Sequence, residues 1–222
     1  MGLYLRQLQL GPMDNFVYLV GDQGAPETAI IDAAWDVSAV LAAAEADGRE
    51  VTHALVSHHH LDHTNGLLPL LERRRGVQIR VHQADLPLLV PELQQRVKPL
   101  TAGELIEIGP LRLRALHTPG HTPGSTCFHL EPDQDDPGAL FAGDTLFVNA
   151  CGRCDLAGGD AALMFESLVR LSRLGENVRL YPGHDYGDVP VSSIGRERAQ
   201  NIYFAKLGSL SDFVAYRNRP RA

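Results

Sequence analysis

The sequence predicts an α/β fold, and three observations carry that expectation. Short apolar segments of strand length alternate with stretches of helical spacing through residues 16–82, the order in which layered α/β proteins are built. The middle of the chain is strand-rich, and helix and strand alternate again after residue 160. The 222 residues are 44% hydrophobic and 21% charged, an ordinary globular composition with length enough for a sizeable core. No low-complexity stretch, short-period repeat or clear linker divides them. One domain over 1–222, with a short helical extension at its C-terminal end, is the expected organisation.

Taken in order, "FVYLVG" and "TAIIDAA" read as strands, and the turn-rich "DQGAPE" between them predicts a hairpin. "VSAVLAAAEADG" has helical apolar spacing and stops at Gly48. "HALVS" is a buried strand that runs into a group of histidines. "GLLPLLERRR" predicts a helix interrupted at Pro69, with Arg73, Arg74 and Arg75 as its solvated end, and "VQIRVH" a strand. Strands joined by turns follow in "LIEIGPLRLRALHT", "STCFHLE" and "ALFAGDTLFV". "AALMFESLVRLSRL" restores a helix, "VRLYPG" a strand, and "GRERAQNIYFAKL" a last helix. The chain thus reads as two similar halves, each mainly strand with helix outside.

A formal net charge of −7 argues against nucleic acid, whose phosphates call for a basic surface. The first residues lack the apolar core and small-residue cleavage site of a signal peptide, and no uninterrupted apolar run is long enough to span a bilayer. Three cysteines do not make a disulfide framework. These features predict a cytoplasmic protein whose partner is a small molecule rather than nucleic acid or membrane, with a homodimer left open.

The chemistry concentrates in "ALVSHHHLDHTNG", where four of the ten histidines and one aspartate fall within residues 58–63. Burying unpaired polar groups is costly, so a cluster of this kind at the end of an apolar strand needs something to bind. In extended chain, residues two apart project to one side, which turns His58 and His60 toward one point and His59 away. Asp62 and His63 follow as the chain turns and point to a second, neighbouring locus. Neutral imidazole is a common metal ligand, and carboxylate is its harder companion. Three further segments share the order of strand end, turn, then ligand-type residue. "RALHTPGHTPGS" carries His117 and His121, "ALFAGDTLF" carries Asp144, and "VRLYPGHDYG" carries His184. Each is weak alone and strong in combination.

In this set and order, from "DNFVYLV" to "YPGHDYG", the sequence resembles the metallo-β-lactamase superfamily. The resemblance implies a four-layer αββα sandwich with metals at one edge. It implies a first metal on His58, His60 and His121, a second on Asp62, His63 and His184, and Asp144 bridging the two. Zinc, iron and manganese all suit such a donor set. His59 lies outside the pattern, and His117 is expected beside the ligands rather than among them.

Within the superfamily the chain resembles the glyoxalase II group of thioester hydrolases and the related persulfide dioxygenases; "FAGDTLFVNACGRCDLAGGD" and "YPGHDYG" fit both. The first reading is a two-metal hydrolase of a thioester, in which the metal pair lowers the pKa of a shared water and polarises the carbonyl, while Asp62 orients or deprotonates that water. Glutathione-specific members carry a larger helical C-terminal domain, whereas the stretch after His184 here is short. The alternative is a dioxygenase with one Fe(II) on His58, His121 and Asp144, acting on glutathione persulfide or a similar thiol. A metal-binding module without chemistry is the third reading. Arg153 and Tyr186 match family positions that contact the thiol substrate, with pairing to Asp155 as the structural alternative for Arg153. Cys151 and Cys154 form a C-x-x-C that the family resemblance already accounts for, with a redox role as its alternative, and Cys127 is expected in the core.

Overall fold

The computed structural model describes residues 2–219. Two six-stranded sheets pack face to face, and helices cover both outer surfaces, so the four-layer expectation holds. In the first sheet, β1 (Leu3–Leu10), β2 (Asn15–Asp22) and β3 (Glu27–Ile31) form an antiparallel meander. Helix α1 (Val37–Ala46) crosses to β4 (Glu50–Leu55), which lies parallel to β3. After α2 (Leu61–Thr64) and α3 (Leu67–Arg73), β5 (Gln78–His82) continues the parallel run. The short α4 (Pro91–Gln94) leads to β6 (Val97–Leu100) at the edge.

The second sheet takes β7 (Leu105–Ile108), β8 (Leu111–His117), β9 (Thr126–Leu130) and β10 (Ala139–Gly143) as an antiparallel series. A small ribbon of β11 (Leu146–Phe147) and β12 (Ala150–Cys151) precedes α5 (Ala161–Leu171), which crosses to β13 (Arg179–Pro182), parallel to β10. Edge strand β14 (Ser192–Ser193), α6 (Ile194–Gln200) and α7 (Leu210–Arg217) complete the chain.

Strand alternation builds the layers. Along β2, Val17 and Leu19 face the core under α1 and α3, while Phe16, Tyr18 and Val20 face the core between the sheets with Phe128 and Phe141. Helix α5 lays Met164, Leu168 and Leu171 on the outer face of the second sheet. Side chains close the N-termini of the two longer helices: Asp36 accepts from the Ala39 amide, and Asp160 from those of Ala162 and Leu163. Among the described residues, no helix is long and apolar enough to cross a membrane.

Two local expectations need correction, and the alternative of a redox role for the C-x-x-C pair gains no support. Pro69 does not interrupt α3, because it sits in the first turn, where a missing N–H costs no intrahelical bond. The last helix is not continuous: α6 stops at Gln200, the Asn201 side chain turns back to accept from the Tyr203 amide, and a separate 3₁₀ turn covers Phe204–Lys206. Cys151 and Cys154 both pack into the core beneath α5, and burial pushes the Cys154 thiol up to about 11. That state is unreactive, so the geometry lends nothing to a redox pair.

The parallel arrangement of β3 with β4 and of β10 with β13 brings the C-terminal ends of these strands to one edge of the sandwich. There the sheets are tied together. The Phe16 amide donates to the Gly183 carbonyl at 2.8 Å, and the buried Tyr18 hydroxyl donates to the Pro182 carbonyl at 2.5 Å. Tyr18→Phe removes the donor while leaving a buried carbonyl behind. Chemical denaturation should show a loss of about 1–3 kcal/mol with unchanged cooperativity; an unchanged midpoint would show that this tie contributes nothing.

Candidate metal centre

Each residue singled out as a ligand follows a strand end at that edge. His58, His60, Asp62 and His63 follow β4, His121 follows β8, Asp144 follows β10, and His184 follows β13. Their donor atoms meet in three overlapping groups: His58, His60 and His121; His58, His63 and Asp144; Asp62, His63 and His184. Within each group the atoms lie no more than 4.8 Å apart. The Nε2 atoms of His58 and His121 stand 3.1 and 2.9 Å from Nδ1 of His60. Nε2 of His63 lies 3.1 Å from that of His184, and each is 3.4 Å from Asp62 Oδ2.

The far nitrogen of most of these rings is fixed by a group that can only accept. Nδ1 of His121 donates to the Arg153 carbonyl at 2.7 Å, and Nδ1 of His184 to the Met13 carbonyl at 2.8 Å. His63 Nδ1 donates to Asp32 Oδ2 at 2.9 Å. Asp32 also accepts from the Ser57 hydroxyl at 2.7 Å, which leaves that oxygen to accept from His58 Nδ1 at 3.0 Å. In the neutral rings, the inward Nε2 atoms therefore carry lone pairs. Lone pairs converging from several rings are the pattern of a cation site.

Asp144 supplies an independent observation. Its Oδ1 is buried without a hydrogen bond, although His63 Nε2 at 3.3 Å and His184 Nε2 at 3.4 Å flank it. Its Oδ2 lies 3.6 Å from His121 Nε2, so the carboxylate faces both sets of imidazoles. An orphaned carboxylate oxygen among inward-pointing nitrogens fits a shared cation. The residues present fit a pair of divalent ions.

Local backbone makes room for this arrangement. Gly143 has φ +48, and a Cβ there would strike the Ser57 side chain; a Cβ on Gly183 would strike the Asp144 carboxylate.

Electrostatics separates the two ends of the cluster. Burial, with repulsion from neighbouring imidazoles, pushes His58 well below its ordinary range and His60 down to about 4; burial also lowers His121. At His63, burial opposes charge, but Asp144 and Asp32 outweigh it and raise the ring well above its ordinary range. His184 behaves likewise: burial opposes its charge, and the neighbouring Asp144 and Asp62 carboxylates raise it to about 9. Burial acts to raise Asp62 and Asp144, yet the surrounding imidazoles keep both carboxyls low.

His59 turns away from the cluster, as its register predicts. Its amide and Nδ1 both meet Asp85 Oδ2, at 2.9 and 3.1 Å. His117 joins no donor group: its Nε2 donates to the Pro123 carbonyl at 2.8 Å and its ring stacks on His82. A cavity of about 730 Å³ opens over the cluster, lined in part by His60, Asp62, His121, Asp144 and His184, and by Arg153 and Tyr186. Tyr186 stacks on His184 at 4.6 Å, and Arg153 forms a two-pronged pair with Asp155, both bonds 2.8 Å.

Three supporting residues escape the sequence reading. Asp32 ends the apolar "TAII" strand, the same signal that marks Asp144. Asn15 holds Asp62, donating to its Oδ2 at 3.0 Å, while its own oxygen accepts from Trp35 Nε1 at 2.8 Å. Asp85 has no motif. It is fully buried and accepts from Thr122 Oγ1 at 2.7 Å and the Gly124 amide at 2.6 Å, which fastens the His121 loop to the His59 backbone.

Residues 10–184 match the Metallo-beta-lactamase superfamily, and the chain belongs to it. Among its relatives, a hydroxyacylglutathione hydrolase of Rhodopseudomonas palustris (strain BisA53) is 39% identical over 78% of this chain and 63% of the relative, so the chain spans less than two thirds of that protein's length. A probable polyketide biosynthesis zinc-dependent hydrolase, PksB of Bacillus subtilis (strain 168), is 30% identical over 92% of this chain and 88% of the relative. Among solved structures, ETHE1 from Myxococcus xanthus superposes with a TM-score of 0.83 at 29% identity, covering 98% of this chain and 92% of that one. TTHA1623 in a di-iron-bound form superposes with a TM-score of 0.76 at 30% identity, covering 89% and 99%.

Two expectations follow. Metal uptake at the Asp62–His63–His184 group displaces the protons on His63 and His184, whereas the His58–His60–His121 group is already neutral. Affinity at the former should rise with pH through the region near 9 where His184 releases its proton, while affinity at the latter stays flat above neutrality. Zinc titration calorimetry in buffers of different ionisation enthalpy reads this directly, and equal proton release at both steps would refute it. Separately, Asp32→Ala should weaken the affinity of the second ion roughly 10–100-fold; competition with a chromophoric chelator measures it, and unchanged affinity would remove Asp32 from its supporting role.

Proposed function

We propose that this protein is a two-metal hydrolase of thioesters. The observation that carries the reading is the convergence of seven donor residues into three overlapping groups, the middle one of which holds Asp144, beneath one cavity. His58, His60 and His121 would hold one divalent ion, Asp62, His63 and His184 the other, with Asp144 between them. A metal pair in such a site lowers the pKa of a water and polarises an acyl carbonyl. Zinc is supported by the named zinc-dependent relative and iron by the di-iron-bound neighbour.

The protein's own groups prepare the reaction. Asp62 is kept ionised by its contacts with His184 and Asn15 and borders the cavity, so it is placed to orient or deprotonate the attacking water. Asp32, Ser57 and the carbonyls of Met13 and Arg153 hold the imidazoles with Nε2 inward. Tyr186 and Arg153 line the approach to the cluster. No side-chain nucleophile is required, and thiolate is a good leaving group.

A second reading is favoured by one observation. The chain matches ETHE1 from Myxococcus xanthus over nearly the full length of both proteins, which it does not do with the glutathione hydrolase. On that reading a single Fe(II) on His58, His121 and Asp144 would serve a persulfide dioxygenase.

One assay separates the two. Zinc-loaded and iron-loaded protein are given S-lactoylglutathione and an acyl N-acetylcysteamine thioester, or glutathione persulfide, while free thiol and dissolved oxygen are followed. Thiol release by the zinc form without oxygen is the expected result. Oxygen uptake by the iron form with persulfide, and no thioester cleavage by either form, would overturn the proposal. His184→Ala should lower thioester turnover at least 100-fold, since it removes a ligand of one ion.

A further inference from the structure

The walls of the cavity over the donor cluster point to a substrate chemistry more specific than a thioester. Of the ten large apolar side chains that stand exposed among the described residues, four line this one cavity: Met13, Leu61, Leu156 and Tyr186, at 45%, 68%, 39% and 54% exposure. They come from four separate segments, namely the turn before β2, the start of α2, the loop after β12 and the loop after β13. Phe147 closes the back and packs edge-on against both Tyr186 and His184. Apolar surface gathered from separate loops around one concavity marks a binding site for an apolar group.

The polar complement is equally informative. Arg153 is the one Lys or Arg side chain among the lining residues, and its Nε and Nη2 are both engaged by Asp155. Glutathione carries two carboxylates, and recognising them calls for free cations or forked donors on the wall. Beside the donor cluster this cavity presents hydrocarbon and aromatic faces, with its single guanidinium already bound.

We infer that the cavity takes an uncharged, apolar acyl arm, a hydrocarbon chain of medium length or a group of similar bulk, and that glutathione is not the group it reads. This rests on the thioester reading for the bond that is cleaved, but the preference for an apolar arm is a property of the wall. The 730 Å³ cavity lies within the range of sites that enclose most of a small ligand. Each methylene removed from water there should raise kcat/KM roughly threefold to fourfold until the cavity is filled.

The test uses the zinc-reconstituted full chain in two arms. In the first, kcat/KM is measured for N-acetylcysteamine thioesters from acetyl to decanoyl, and for S-lactoylglutathione. A rise of at least 100-fold along the series is expected, and the combined change Leu61→Ser with Leu156→Ser should flatten it. A flat or falling series, with S-lactoylglutathione the better substrate, overturns the inference. The second arm needs no turnover: the decyl thioether of N-acetylcysteamine and S-methylglutathione are each set to displace the neutral fluorophore N-phenyl-1-naphthylamine. Displacement by the decyl compound alone supports the apolar arm even where no thioester is cleaved, in which case the hydrolase reading alone falls. Displacement by S-methylglutathione at equal or lower concentration overturns the inference.

Discussion

Asp32 is one buried carboxylate that dictates where the protons lie at the metal edge. By accepting from Ser57 and His63, it forces the Ser57 hydroxyl to accept from His58, so His58 and His63 both turn Nε2 inward. The Met13 and Arg153 carbonyls impose the same orientation on His184 and His121. Several lone pairs aimed at one region, with buried carboxylates among them, repel unless a cation lies between. Without an ion, the raised His63 and His184 supply that positive charge, and Asp144, whose Oδ1 finds no hydrogen bond, lies between the two halves of the cluster.

The sandwich supplies the rigidity this requires. Parallel pairing of β3 with β4 and of β10 with β13 delivers the strand ends to one edge, and the tie between Phe16 and Gly183 locks the two sheets together beside His184. Two side chains stitch the loops. Asn15 spans Trp35 and Asp62, and Asp85 binds the His59 backbone to the turn that carries His121. A cluster drawn from four loops stays in register because each loop is fastened to a neighbour as well as to its own strand. Above it, the exposed apolar walls of the cavity contrast with the polar floor.

Much of this was legible in the sequence. The hairpin of β2 and β3, helices α1 and α5, and the strand that runs into His58 follow from period and punctuation, because burial on fixed faces writes itself into spacing. The seven donors stood out because each follows an apolar strand end, and the family resemblance separated them from Asp32, which carries the same signal. Strand β1 escaped, since "LYLRQLQL" alternates imperfectly and its residues are mostly half-buried rather than split into an inner and an outer face. Helix α7 lies beyond the last strong apolar pattern, and α4 and β6 are too short to show a period. The supporting residues Asn15 and Asp85 were illegible for a different reason: they act through contacts across 47 and 39 positions of sequence, which no local pattern records. Arg153 was legible as a position, but its engagement by Asp155 is a matter of side-chain geometry.

We propose that these seven side chains form two adjacent cation sites with Asp144 between them. A crystal grown from zinc-reconstituted protein, with diffraction recorded on both sides of the zinc edge, tests it most directly. Two anomalous peaks are expected. One should lie among His58, His60 and His121, and the other among Asp62, His63 and His184, with Asp144 touching both. A map with no peak at this edge of the sandwich, or with zinc bound only by residues outside the seven, would contradict it.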